Sequence, residues 1–276
     1  MSAHDSVLPT DAFEDSYIGY RAAEWIENVP EDFPWHMFVS FVGPTIHSVH
    51  PEYADKYRDA NMPPAVPFDP EGKPAWVQKR SKTFTDEKIT ETRQQYCAAI
   101  EAIDDRVGRI LNAVEARGMS ENTVVIFASD HGEMLGDHGM YTKSCPQEAA
   151  LRVPLIVAGP GIKGGRTSDS LIDVNATICD LAGLDPQPDI DARSFRDILE
   201  GASDTHRTET VSAIRNFRQI RTREHKLVEN FNDVTELYDL RADPDEQVNI
   251  AEENPDTVTR LAARLKERFQ EGKWLR

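Results

Sequence analysis

Three stretches of the chain are apolar almost without interruption, and a fourth repeats its apolar residues at helical spacing. The three runs are Trp35-HMFVSFVG, which ends at Gly43-Pro44, then Thr123-VVIFAS and Val153-PLIVAGPG. Short aromatic and β-branched runs closed by Gly or Pro predict strands, and their unbroken apolar character predicts burial on both faces of a parallel sheet. Between the first two runs, Ile89, Tyr96, Ile100, Ile103, Val107, Ile110 and Val114 draw one apolar stripe. That stripe predicts a helix from about Asp86 to Arg117, stopped by Gly118. A shorter helix is expected from Asn175 to Ala182, with Gly183 as terminator. The Pro-rich, charged stretch from about Pro51 to Lys82 predicts an irregular surface excursion. Strands alternating with helices predict a layered α/β domain.

From about Val211 to Leu240 the pattern becomes β-rich with charged turns, which predicts a small antiparallel sheet. An amphipathic helix follows over about Asp256 to Phe269, with Val258, Leu261, Leu265 and Phe269 on one face. The organisation expected is therefore a main α/β unit over 1–200 and a smaller α+β unit over 201–276.

Composition narrows the function classes. The 276 residues are 39% hydrophobic, enough for a packed core, and carry a net charge of −17. Strong acidity argues against nucleic acid and anionic membranes as partners, and any anion site must supply its own local positive charge. No run approaches the roughly eighteen apolar residues of a membrane-spanning helix. The first thirty residues contain acids and no apolar core, so no secretory signal is expected and the location expected is cytoplasmic. Cys97, Cys145 and Cys179 lie far apart in no CxxC pair and are expected to be structural thiols. The basic run Arg215-NFRQIRTREHK226 either lines a substrate pocket or forms a solvated strand face. Gly159-PGIKGG165 lacks a phosphate-loop pattern and reads as a plain loop.

The chemistry concentrates in Ser129-DHGEMLGDHGMYTK143, which leaves the second strand directly. In open α/β sheets ligands bind beyond the carboxyl ends of strands. Asp130 and His131 can there reach one divalent cation, with Gly132 letting the backbone turn closely. Lys143, twelve residues past His131, can return as a point charge on a tetrahedral anion. The competing reading makes Asp130 a helix cap and the histidines surface residues. A DHGE, a GDHG and a lysine between two strands argue against it.

These segments resemble the sulfatase family of the alkaline phosphatase superfamily. The residues that carry the resemblance are Ile103-DDRVGRIL, Asn122-TVVIFASDHGEMLGDHGMYTK, Glu148-AALRVPLIVAGPGI and Glu236-LYDLRADPDEQVNIA, over about residues 36 to 250. The resemblance implies an alkaline-phosphatase-like α/β/α core with a small C-terminal α+β subdomain. It implies hydrolysis of small-molecule or saccharide sulfate esters, with Asp130 and His131 holding half of a divalent metal site, usually calcium. Lys143 corresponds to the lysine that contacts the sulfate, and His138 takes a supporting or proton-donating role. Two departures accompany it. Family members make a formylglycine nucleophile from a Cys or Ser in C-x-P-x-R, and none of the three cysteines, nor any serine, stands in that pattern. Thr45 stands where a catalytic histidine is expected, with His47 and His50 nearby at a different spacing. The nucleophile segment lies upstream in the family, so the chain is expected to be a C-terminal fragment. As such it is expected to be inactive alone, to bind metal weakly, and to aggregate or to require a separate N-terminal polypeptide or a second copy of itself. A phosphonate monoester or phosphodiester hydrolase of the same superfamily, or a non-catalytic module, are the alternatives.

Overall fold

In the computed structural model, which describes residues 5–45, 49–165, 170–185 and 187–271, the long apolar stripe forms a single helix. Contacts divide the chain into two compact units, Met1–Ala65 with Thr83–Val124, and Val66–Lys82 with Val125–Arg276. This is a different division from 1–200 and 201–276, because it follows packing and not the change of sequence pattern.

In the first unit, α1 (Glu14–Asn28), α2 (Pro51–Tyr57) and α4 (Asp86–Ala116) pack together. The side chain of Thr85 caps α4 by accepting the Lys88 N–H at 3.2 Å, and Asp86 and Glu87 sit in its first turn, where the helix dipole favours them. Ile89, Ile103 and Val114 of the stripe are buried, whereas Ile100 is 47% exposed. Helix α1, unforeseen in the sequence, lays Ala23 and Ile26 against Ala113 and Val114. The two helices approach so closely that a Cβ on Gly19 would lie 2.6 Å from the Arg106 Cβ. Buried charges here are satisfied: Arg106 donates to the Ser16 Oγ at 3.2 Å and the Tyr53 hydroxyl at 3.1 Å. Burial and the hydrogen bond to Asp105 push the Tyr53 phenol up to about 12. His50 caps α2, its Nδ1 accepting the Glu52 N–H at 3.2 Å.

The strand expected over Trp35–Gly43 does not form among the described residues. Its backbone has no ladder partner, and its side chains alternate between half-buried and exposed, with Trp35 and Met37 turned onto the α1–α4 core. Period-two burial persists without the hydrogen bonds that define a strand.

In the second unit, β1 (Val125–Ala128) pairs with β2 (Leu155–Ala158). The pairing is antiparallel, Val125 opposite Ala158, which corrects the parallel arrangement expected. Parallel neighbours need a crossover element, and the 129–154 segment instead returns along the same edge. Phe127 and Ile156 remain 37% and 58% exposed. Helix α5 (Glu148–Leu151) precedes β2; α6 (Val174–Leu181) and α7 (Arg196–Leu199) follow it, with Phe195, Ile198 and Leu199 packed under Leu155 and Val157.

The small antiparallel sheet forms as expected, in the order β3 (Glu209–Ile214), β4 (Phe217–Thr222), β5 (His225–Asn230), β6 (Thr235–Asp239). Helix α8 (Pro255–Glu271) seats Leu261 and Leu265 on one face of it, against Ile220, Leu227 and Leu237. The other face carries Phe217, Val228 and Tyr238, with Trp76 packed against it and stacked on the Phe217 ring at 5.8 Å. Adjacent residues Leu227 and Val228 thus enter opposite cores, as strand alternation requires.

Trp76 belongs to α3 (Ala75–Arg80), inside the stretch expected to be an irregular surface excursion. That expectation needs correction: α2 and α3 both interrupt the stretch, and Lys73 and Val77 are buried. Lys73 donates to the Tyr238 hydroxyl at 2.7 Å and the Glu246 carbonyl at 3.3 Å. Deeper still, Lys226 has no exposed surface and places its Nζ 2.6 Å from both Glu148 Oε1 and Glu246 Oε1. Burial alone would raise the Glu148 carboxyl, but Lys226 and Arg221 hold it below the ordinary range. Three cations of the basic run are thus engaged within the protein, while Arg215 and Arg223 are exposed. Arg218 pairs with Glu229, Arg221 with Glu148, and Lys226 is in the core. A further buried carboxylate, Asp173, accepts from the Arg207 Nε at 2.5 Å, the His206 Nε2 at 2.8 Å and the Arg193 N–H at 2.8 Å.

Lys226→Ala would leave the buried Glu246 carboxylate without a cation and Glu148 with Arg221 alone, and should cost about 3–5 kcal/mol in urea unfolding. Asp173 gives an acid-sensitive contribution. Burial opposes its ionisation, but Arg207, the Arg193 amide and His206 together hold its carboxyl below the ordinary range. The stability it contributes is therefore full above its unfolded pKa of about 3.9 and is lost as pH falls through the lower folded value. Asp173→Asn should lower Tm by roughly 5 °C near neutrality, with the gap to the parent narrowing below about pH 4 in a calorimetric series.

Candidate metal and anion site

Strand β1 delivers Ser129, Asp130 and His131 in a tight turn. The Ser129 Oγ donates to the His131 carbonyl at 2.7 Å, and the His131 N–H donates to Asp130 Oδ1 at 3.0 Å. His131 Nδ1 lies 2.9 Å from the Gly132 carbonyl. A carbonyl only accepts, so Nδ1 carries the proton and Nε2 presents its lone pair. Nε2 is 3.6 Å from Asp130 Oδ2, and the Asp130 side chain is 86% exposed. Two donors at that separation suit neighbouring positions on one divalent cation with bonds of about 2.0–2.5 Å. Among the described residues no group of three or more His, Cys, Asp or Glu gathers to hold a metal. The described residues therefore bring together Asp130 and His131 alone.

Gly132 fixes where that half sits. Its N–H donates to the Ala150 carbonyl at 2.8 Å, and a Cβ added here would fall 2.0 Å from the Ala149 oxygen. No side chain fits. Beyond it the chain doubles back: the Met134 N–H donates to the Thr142 carbonyl at 3.1 Å and the Gly136 N–H to the Met140 carbonyl at 2.9 Å. Met134, Met140, Cys145 and Ala150 pack beneath this loop. Leu135, His138, Thr142 and Ser144 all hold positive φ, at 48°, 52°, 69° and 69°. Four non-glycine residues in that region within ten positions mark a backbone kept in shape by its surroundings.

Lys143 is half-buried at the end of the return path. It and His131 both act on Glu133, which lies between them in the chain. Burial raises the Glu133 carboxyl, against the pull of Lys143, the Thr142 amide and His131. Glu133 Oε1 is buried without a hydrogen-bond partner among the described residues. From α3, Arg80 grips the same turn: Nη1 donates to the Ser144 carbonyl at 2.8 Å, and Nη2 to the Tyr141 carbonyl at 3.1 Å and the Thr142 Oγ1 at 3.0 Å. Nη2 also donates to the carbonyl of Lys143 itself.

His138 is buried, and its described contacts involve none of Asp130, His131 and Lys143. Its backbone N–H donates to the Val66 carbonyl at 2.9 Å, and its ring bonds the Asp245 backbone. Burial and Lys73 hold its pKa below the ordinary histidine value, which favours a neutral anchor over a stored proton. Thr45 and His50 belong to the other compact unit, where His50 is occupied as a helix cap; His47 lies outside the described residues. All three cysteines are free thiols, and burial pushes Cys145 up to about 11 and raises Cys97. Their flanking sequences and burial do not fit a formylglycine precursor. Sequence reading missed Arg80 and Glu133. Glu133 was visible inside the DHGE motif, whereas Arg80 stands in no motif.

A family model described as Sulfatase matches residues 13–184, and one described as N-sulphoglucosamine sulphohydrolase, C-terminal, matches residues 136–273. The chain is 32% identical over 189 residues to an N-acetylglucosamine-6-O-sulfatase of Bacteroides thetaiotaomicron, covering 62% of this chain and 34% of that protein. It is 33% identical over 244 residues to a choline-sulfatase of Rhizobium meliloti, covering 80% of this chain and 47% of that one. It therefore spans a third to a half of the length of these relatives. A structure solved in complex with its substrate D-glucosamine-2-N,6-O-disulfate superposes with a TM-score of 0.84 at 22% identity, over 94% of this chain and 70% of that chain. A phosphonate monoester hydrolase of Agrobacterium radiobacter superposes with a TM-score of 0.85 at 23% identity, over 98% and 64%. These superpositions establish the alkaline-phosphatase-like α/β fold expected from the sequence.

Gly132→Ala is the sharpest test of the loop geometry. Pushing a methyl into the Ala149 carbonyl should destabilise the protein by about 2–3 kcal/mol and shift the His131 ring resonances in NMR spectra. A melt and spectrum matching the parent would show that the turn is not seated as described.

Proposed function

This chain belongs to the sulfatase family, and on that premise we propose that Asp130, His131 and Lys143 form one half of a site that hydrolyses sulfate esters. The reading is carried by the orientation of His131, whose protonated Nδ1 is committed to a carbonyl while Nε2 faces the Asp130 carboxylate at 3.6 Å. An outer contact of this kind is what fixes a metal-binding histidine in the ligating tautomer. Asp130 and His131 would hold a hard divalent cation, calcium being the expected one, whose charge offsets that of the sulfate oxygens. Lys143 adds an ammonium that stabilises the negative charge growing on those oxygens as the S–O bond breaks. The cysteines here do not fit a formylglycine, so no step is assigned to that group. The nucleophile and the remaining ligands come, in this reading, from residues outside these 276, whether on the same polypeptide or a separate one.

The name of the 32%-identical relative supports a sulfated amino sugar as substrate class. The same charges would serve a phosphonate or phosphate ester, so substrate assays must include both.

Two measurements test the proposal. Calcium titrated into the chain by calorimetry should bind weakly, and Asp130→Ala or His131→Ala should abolish the heat. In a full-length protein with turnover of an aryl sulfate, Lys143→Ala should lower kcat/KM by about a hundredfold or more. Calcium binding unchanged in both metal-site variants would sink the reading. Turnover of phenylphosphonate esters but not of sulfates would reassign the substrate, and no turnover of either would mark a non-catalytic module.

A further inference from the structure

Building on the proposed role of Lys143, we infer that Arg80 is a positioning residue for that lysine, acting through the backbone on either side of it. The guanidinium meets four acceptors on four successive residues: the carbonyls of Tyr141, Lys143 and Ser144, and the Thr142 hydroxyl. Three carbonyl dipoles from one short turn converge on a single cation. Without it they would point at one another in a half-buried space and repel. Thr142 and Ser144, which flank Lys143, both sit at φ 69°, a conformation that neither residue type adopts cheaply. The Arg80 bonds hold that pair of left-handed residues in place, and with them the direction in which the Lys143 side chain leaves the chain.

The choice of arginine follows from the geometry. A planar fork with five N–H groups serves several acceptors at fixed angles, whereas an ammonium offers three donors from one point. Arg80 itself ends α3, whose other end is locked by the Trp76 indole N–H donating to Asn230 Oδ1 at 2.8 Å and by its stacking on Phe217. The guanidinium is therefore delivered from an anchored helix and not from a loose loop. Arg80 lies outside every motif quoted above and contacts the backbone of the turn, not the place where the anion would sit. It is a positioning residue and not a catalytic one.

A double-mutant cycle separates this role from a purely structural one. The readout is the Kd of inorganic sulfate for the calcium-supplemented full-length protein, measured by calorimetry alongside a thermal melt. Lys143→Ala should weaken sulfate binding about tenfold, and Arg80→Gln should weaken it by a comparable factor. The double variant should bind no more weakly than Lys143→Ala alone, because Arg80 has nothing left to position. Arg80→Lys, which preserves charge and some of the hydrogen bonds, should fall between the parent and Arg80→Gln; it also carries the cycle if Arg80→Gln does not fold. Losses that multiply in the double variant, or an Arg80→Gln protein that binds sulfate like the parent while Lys143→Ala does not, overturn the inference and leave the proposed site standing. Sulfate binding that is undetectable in the parent, or unaffected by Lys143→Ala, overturns the proposed site and this inference with it.

Discussion

A fully buried ammonium is the constraint on which the second unit is organised. Lys226 is the second residue of β5 and has no access to water, and such a group is tolerated only when opposite charge and hydrogen bonds enclose it. Glu246 comes from the loop after β6, Glu148 opens α5, and the Pro146 carbonyl completes the cage at 2.9 Å. The sheet and the segment before β2 are thereby fixed to each other. Glu246 ties the knot tighter, because its other oxygen accepts the Glu148 N–H at 2.6 Å. Helix α5 then offers the Ala149 and Ala150 carbonyls against which Gly132 is seated, and Gly132 sets the turn that presents Asp130 and His131. A charge in the small sheet thus reaches the candidate ligands through three short, directional steps.

The same accounting bears on how so acidic a chain would host the proposed anion. Its net charge of −17 repels sulfate at long range, so attraction must be local. Several arginines of the second unit are committed to partners within the protein: Arg80 to carbonyls, Arg221 to Glu148, Arg207 to Asp173. They shape the protein more than they attract ligand. The reading leaves attraction to Lys143 and to a bound cation, two groups close enough to act without being screened by the rest of the surface.

Much of this was legible in the sequence. The stripe from Ile89 to Val114, the small sheet, the final helix and the DHGE–GDHG–Lys segment are all local patterns, and local patterns survive folding. What was not legible depended on partners distant in sequence. Trp35–Gly43 has the composition of a strand, but a strand exists only where another backbone pairs with it. Lys73 and Lys226 look like surface residues to any hydropathy scale, since nothing nearby in the chain announces Glu236, 3.7 Å from the Lys73 ammonium, or Glu246 beside Lys226. Arg80 is one cation among thirty-one Lys and Arg residues, and its meaning comes from four acceptors more than sixty residues away. His138 was visible as a residue of the motif, whereas its burial and its backbone hydrogen bond to Val66 depend on residues far along the chain and could not be read from spacing.

Trp76 and Arg80 stand four apart on α3, so they share one side of a short rod. One end of that side is wedged against the sheet, and the other reaches into the turn around Lys143. The aromatic stack at Phe217 and the guanidinium bonds around Lys143 thus share one short helix as their common support. The small sheet is therefore better viewed as a footing of the loop than as an appendage to the domain.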